Sequence, residues 1–77
     1  MKIESLTINL KGGRTVDYSP VLCECDEVRY VSDRRGYYIY IYDFGRRKKG
    51  YTERYFYSKP VVESTFVHPL RKDRVRD

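Results

Sequence analysis

Apolar and polar residues alternate along most of this chain, in short runs separated by glycine, proline or charge. Leu6, Ile8 and Leu10 alternate with Thr7 and Asn9, the period-two signature of a half-buried strand. Lys11-Gly12-Gly13 is the turn that follows. A two-residue Gly-Gly loop would set Thr15 and Asp17 beside the aliphatics, whereas a three-residue loop sets Arg14, Val16 and Tyr18 there. Register follows the apolar match, so the three-residue loop is predicted, with a glycine in the left-handed conformation. Pro20 ends the second strand because it has no amide to donate. Val21 to Glu27 reads as a connection or short edge strand with an acidic end.

Alternation resumes from Val28 to Asp33, turns at Arg34-Arg35-Gly36, and continues through Tyr37-Tyr38-Ile39-Tyr40-Ile41-Tyr42-Asp43-Phe44. A loop carrying Arg46-Arg47-Lys48-Lys49 between Gly45 and Gly50 leads to a return strand from Tyr51 to Tyr57. Lys59-Pro60 interrupts the pattern before a last strand, Val61 to Val67, which His68-Pro69 closes. No useful window has helical periodicity, and β-branched and aromatic residues dominate the runs. The fold class predicted is all-β: one small domain over residues 1–70, an antiparallel meander of five or six strands curled into a sheet or open barrel, with a basic C-terminal tail at 71–77.

Parity divides the tyrosine hairpin into two faces. With a symmetric loop, Ile39 lies opposite Phe56 and Ile41 opposite Arg54, while Tyr38 meets Tyr57, Tyr40 meets Tyr55 and Tyr42 meets Glu53. The Arg35-Gly36 turn sets Val28 and Tyr30 beside Ile39 and Ile41. The expected core face is then Val28, Tyr30, Ile39, Ile41 and Phe56. The other face is Tyr38, Tyr40, Tyr42, Tyr55 and Tyr57, flanked by Arg29. Either the N-terminal hairpin folds over these rings or they form an open platform, and partial cover with two or three rings exposed is the expectation.

Charge sharpens this picture. The chain of 77 residues carries a net +5, unevenly placed. Met1 to Asp33 holds four Lys/Arg against six Asp/Glu, and Arg34 to Asp77 holds twelve against five. The second half is therefore expected to face something anionic. Aromatic rings on a sheet stack unpaired bases while neighbouring cations take the phosphates. On this ground the predicted function is a small non-enzymatic binding protein that contacts single-stranded DNA or RNA. Its predicted binding residues are Arg29, Tyr38, Tyr40, Tyr42, Arg46, Arg47, Lys48, Lys49, Tyr55 and Tyr57. The four adjacent cations of the 46–49 loop repel one another, which predicts a mobile tip unless an anion neutralises it.

Two alternatives stand beside that reading. Tyrosine-rich surfaces also suit protein partners, so the chain could be a viral or mobile-element inhibitor that binds and blocks a host protein. A ribonuclease-type toxin would need a site such as His68 with Arg54 and Tyr57. No phosphate-binding glycine loop, paired-carboxylate motif or nucleophile elbow is present in the sequence. Cys23-Glu24-Cys25, if extended, would place both sulfurs on one side, but with one histidine in the chain the set falls short of four zinc ligands. Two small buried hydrophobes are predicted instead, with no metal and no cofactor. The absence of an apolar run long enough for a signal or membrane span predicts a cytoplasmic protein, of a cell or of a host infected by a virus. An exposed edge strand offers a route to a homodimer.

Overall fold

A computed structural model describes residues 1–70; the predicted basic tail, 71–77, lies outside the described residues. Six strands form two three-stranded antiparallel sheets, which bears out the all-β prediction. They are β1 (Ile3–Leu10), β2 (Thr15–Tyr18), β3 (Glu27–Ser32), β4 (Gly36–Tyr42), β5 (Glu53–Ser58) and β6 (Val62–Pro69). One sheet has the order β2-β1-β6 and the other β3-β4-β5. The meander runs through β3, β4 and β5, and the chain then crosses back so that β6 pairs with β1. A single turn of 3-10 helix, Lys59–Val61, with Pro60 inside it, makes that crossing.

The three-residue loop is present. Ile8 pairs with Val16 and Leu6 with Tyr18, and Gly12 and Gly13 both have positive φ. β1 places Ile3, Leu6 and Ile8 in the core although Ile3 and Leu6 differ in parity. The register against β6 shifts between Ile3 and Ser5, and this bulge lets both side chains point inward. It also bends β1 toward the other sheet. Lys2 bridges to Arg29, the Tyr30 amide donates to the Met1 carbonyl at 2.8 Å, and the Leu70 amide donates to the Lys2 carbonyl at 3.1 Å. The two sheets thus meet at a corner where the start of β1 reaches β3.

Between them lies one core: Ile3, Leu6, Ile8, Tyr18, Val28, Tyr30, Ile39, Ile41 and Val62. The N-terminal hairpin therefore covers the aliphatic face of β3-β4-β5. Its Leu10 and Val16 pack at the margin of this cluster. The segment after β2 is a helical turn, α1 (Pro20–Cys23), where a connection or edge strand was expected. Ser19 caps it, accepting the Leu22 amide at 3.0 Å, and Pro20 occupies the first turn where no amide partner is needed. Glu24 ends the turn in the left-handed conformation. Cys23 and Cys25 are consequently not consecutive same-side residues of a strand. Both are free, half-buried thiols against the core, and burial raises the Cys25 thiol above its ordinary range.

Candidate functional site

β3 and β4 are joined by a tight turn whose geometry follows from Asp33. Its carboxylate accepts the amides of Arg35 (2.8 Å) and Gly36 (3.1 Å), and its own amide donates to the Gly36 carbonyl (2.9 Å). Those two amides, the Arg35 amide above all, hold the Asp33 carboxyl below the usual carboxylate range, with the charge of Arg35 and the Tyr38 hydroxyl contributing. The turn sets Val28 opposite Ile41, Arg29 opposite Tyr40, Tyr30 opposite Ile39 and Val31 opposite Tyr38, as parity predicted.

β5 departs from the prediction by one residue. Tyr38 pairs with Phe56, Ile39 with Tyr55, Tyr40 with Arg54 and Ile41 with Glu53. A shift of one position exchanges the faces of every side chain on a strand. Phe56, expected in the core, is 44% exposed on the outer face. Tyr55 and Tyr57, expected on the tyrosine face, point toward the seam between the sheets, where both rings lie near Tyr18 at centroid distances of 5.5 and 6.3 Å. The Tyr18 and Tyr57 hydroxyls share a short hydrogen bond, and Tyr55 donates to Glu53 at 2.8 Å. Burial, with the Tyr57 hydrogen bond next, pushes the Tyr18 phenol far above its ordinary range.

The loop makes the shift. The Asp43 carbonyl accepts the amides of Arg46 (3.0 Å) and Arg47 (2.9 Å), and Asp26 accepts the Phe44 amide at 2.8 Å. Gly50 then takes a positive φ of 77°, which a glycine adopts without a Cβ penalty. The return strand re-enters at Thr52, whose amide donates to the Ile41 carbonyl at 2.8 Å, leaving an odd number of residues in the loop. These contacts anchor the two ends of the loop.

The outer face is therefore a grid. Val31, Tyr38 and Phe56 form one row, and Arg29, Tyr40 and Arg54 the next. Glu27 and Tyr42 form the third, beside Thr52. Tyr38 packs on Phe56 (4.9 Å), Tyr40 on Tyr51 (5.0 Å) and Tyr42 on Phe44 (6.0 Å). The central tyrosines are half-buried by these neighbours on their own sheet. The N-terminal hairpin does not cover them, being on the opposite side.

Its two arginines differ. Arg29 lies 4.4 Å over the Tyr42 ring and is held by the Glu27 carboxylate, which also meets Lys2 at 3.8 Å. Among the described residues those are the only ion pairs, so Arg54, 5.9 Å over the Tyr38 ring, has no acidic partner there. The predicted cations Arg46, Arg47, Lys48 and Lys49 lie in the exposed loop at one end of the sheet, and Arg34 and Arg35 at the other. Arg47 donates to the Lys49 carbonyl at 2.9 Å. From Arg34 to Lys59 there are eight basic and two acidic residues, so this one hairpin carries more than the whole net charge. Sequence reasoning missed Phe56, Arg54 and Tyr51 as outer-face residues. Gly50 was the available signal that the loop need not be symmetric.

His68, Arg54 and Tyr57 are not brought together. Arg54 is on the outer face, Tyr57 in the seam, and His68 on β6 with its ring edge-on to Phe66 (4.8 Å). Among the described residues no three metal-ligating side chains converge, and no helix is long and apolar enough to cross a membrane. The chain matches no protein-family model, no characterised protein and no solved structure.

Proposed function

We propose that the outer face of β3-β4-β5 binds single-stranded nucleic acid without catalysing a reaction on it. One observation carries this reading. The core is completed on the other face, and the aromatic grid stays open to solvent with guanidinium groups set between its rings. An apolar-aromatic surface left outside a domain this small is a contact surface in waiting. Bases stack on Tyr38, Tyr40, Tyr42 and Phe56, and phosphates follow the basic loops at both ends. Arg29, already committed to Glu27 and Tyr42, positions the Tyr42 ring. β4 has seven residues, which at about 3.3 Å each gives a track of about 23 Å, within the range one small β domain offers to a few nucleotides. The cytoplasm, where two half-buried thiols stay reduced, is the compartment this function fits.

The test is fluorescence anisotropy with labelled dT and rU dodecamers across a salt series. If about four phosphates are neutralised, affinity falls about 50-fold between 50 and 200 mM salt. Tyr40→Ala removes a stacking ring and weakens binding by about 5-fold or more. No binding at 20 mM salt overturns the proposal and turns attention to a protein partner, the inhibitor reading.

A further inference from the structure

We infer that the hollow between Arg35, Tyr38, Arg54 and Phe56 is a base-selective subsite that prefers guanine. The inference rests on the nucleic-acid reading above and specifies what one position of the strand must be. The hollow is an open depression of about 400 Å³, enough for one base splayed from its strand. Its apolar surface is aromatic. The Tyr38 and Phe56 rings pack on each other with centroids 4.9 Å apart and planes at 45°, so a flat base stacks on the outer surface of the pair and not between the rings.

Recognition in this hollow comes from donors. Arg54 reaches it from β5 with its guanidinium 5.9 Å from the Tyr38 centroid, and Arg35 reaches it from the β3–β4 turn. Arg35 is fixed at its backbone on both sides. Its amide donates to Asp33 at 2.8 Å, and its carbonyl accepts the Lys59 amide at 3.0 Å. A guanidinium has five N–H donors in a planar fork and no acceptor. Asp33 is the acidic neighbour, and the oxygen it turns toward the chain already accepts two amides. The lining therefore suits a base edge with adjacent acceptors. Guanine presents O6 and N7 side by side, which an arginine fork meets with two hydrogen bonds. Adenine sets its amino group beside N7, cytosine presents an amino donor, and thymine a lone O4. Each of these leaves a guanidinium N–H without its partner.

The experiment uses labelled dT octamers with G, A, C or T at one central position, measured by anisotropy at fixed low salt. The G oligonucleotide is expected to bind about 10-fold or more tighter than the A and C ones. Arg35→Lys and Arg54→Lys keep the charge and lose the fork, so each is expected to abolish most of the preference while the salt dependence stays. Both positions are on the surface, and circular dichroism verifies that the variants fold. Equal affinity for all four oligonucleotides overturns the guanine assignment and leaves the nucleic-acid reading standing. A guanine preference that survives both lysine substitutions places the selection elsewhere and also overturns it. Absence of binding to every oligonucleotide overturns both.

Discussion

Gly36→Ala tests the register on which the outer face depends. Gly36 opens β4 opposite Ser58, with no positive φ, so it is present for space and not for backbone freedom. A Cβ built there falls well inside van der Waals contact of the Tyr57 carbonyl oxygen and 2.8 and 3.0 Å from two atoms of the Phe56 ring. The ring can swing away. The carbonyl belongs to the strand, so relief requires β4 and β5 to part by about 1 Å at this end, given ordinary contacts near 3.5 Å. Overpacking of this kind costs about 1–3 kcal/mol. Losing one of the nearby bonds, such as the Lys59 amide to the Arg35 carbonyl, adds about 1 kcal/mol. The combined cost is ~2–4 kcal/mol, a large part of the stability of a small domain. At about 4–8 °C per kcal/mol for a chain of this size, the midpoint falls by roughly 10–30 °C. Thermal denaturation followed by circular dichroism measures it. Gly45→Ala is the control, because its Cβ meets only the Asp43 carboxylate, at 3.5 Å, and should change stability by less than about 0.5 kcal/mol. A Gly36→Ala protein melting within about 3 °C of wild type would refute the placement of the Tyr57 carbonyl and with it the assignment of Phe56 to the outer face.

Two pH experiments probe other parts of the frame. Tyr18 has its folded pKa raised, so its contribution is full below the ordinary phenol value of 10.0 and is lost as pH rises above it. Wild type should therefore lose stability between pH 10 and 11 by about 1 kcal/mol more than Tyr18→Phe does, read by urea denaturation at each pH, and parallel profiles would remove Tyr18 as the cause. Asp33 has its folded pKa lowered, so its contribution is present above the ordinary value of 3.8 and is lost as pH falls below that. Asp33→Asn should flatten the acid limb of the stability profile, and an unchanged limb would show that the turn does not depend on the charge.

Much of this architecture could be read from the sequence because each local choice had one apolar solution. In the N-terminal hairpin only the three-residue loop sets Val16 and Tyr18 beside Ile8 and Leu6. At the second turn Asp33 and Gly36 bracket two residues, and Val28 and Tyr30 have aliphatic partners in one register alone. β5 is different. Arg54 and Phe56 alternate with Tyr55 and Tyr57, so either parity presents aromatic surface to the core and hydrophobicity does not choose. The loop chose, through Gly50 and the Asp43 anchor, and two of the five tyrosines of the predicted face, Tyr55 and Tyr57, moved to the other side as a result. α1 is too short to show a period, although Ser19-Pro20 is a helix-start signal. The pairing of β6 with β1 has no local signature because nothing between residues 10 and 62 specifies it.

That last pairing also sets the order in which the molecule can assemble. β3, β4 and β5 are joined by short connections and can form as soon as residue 58 is available, whereas Ile3 must wait for Pro69, far away in sequence. Contacts of such long range close slowly. During that interval the N-terminal hairpin can already cover Val28, Ile39 and Ile41, but the edge of β1 that pairs with β6 stays open on a growing chain. The step that closes this edge is the arrival of β6 on β1, the last of the described strands to be synthesised. Folding yield, more than final stability, will therefore be sensitive to changes in β6, and a chain cut short of it would leave the ribosome with the β1 edge open to aggregation.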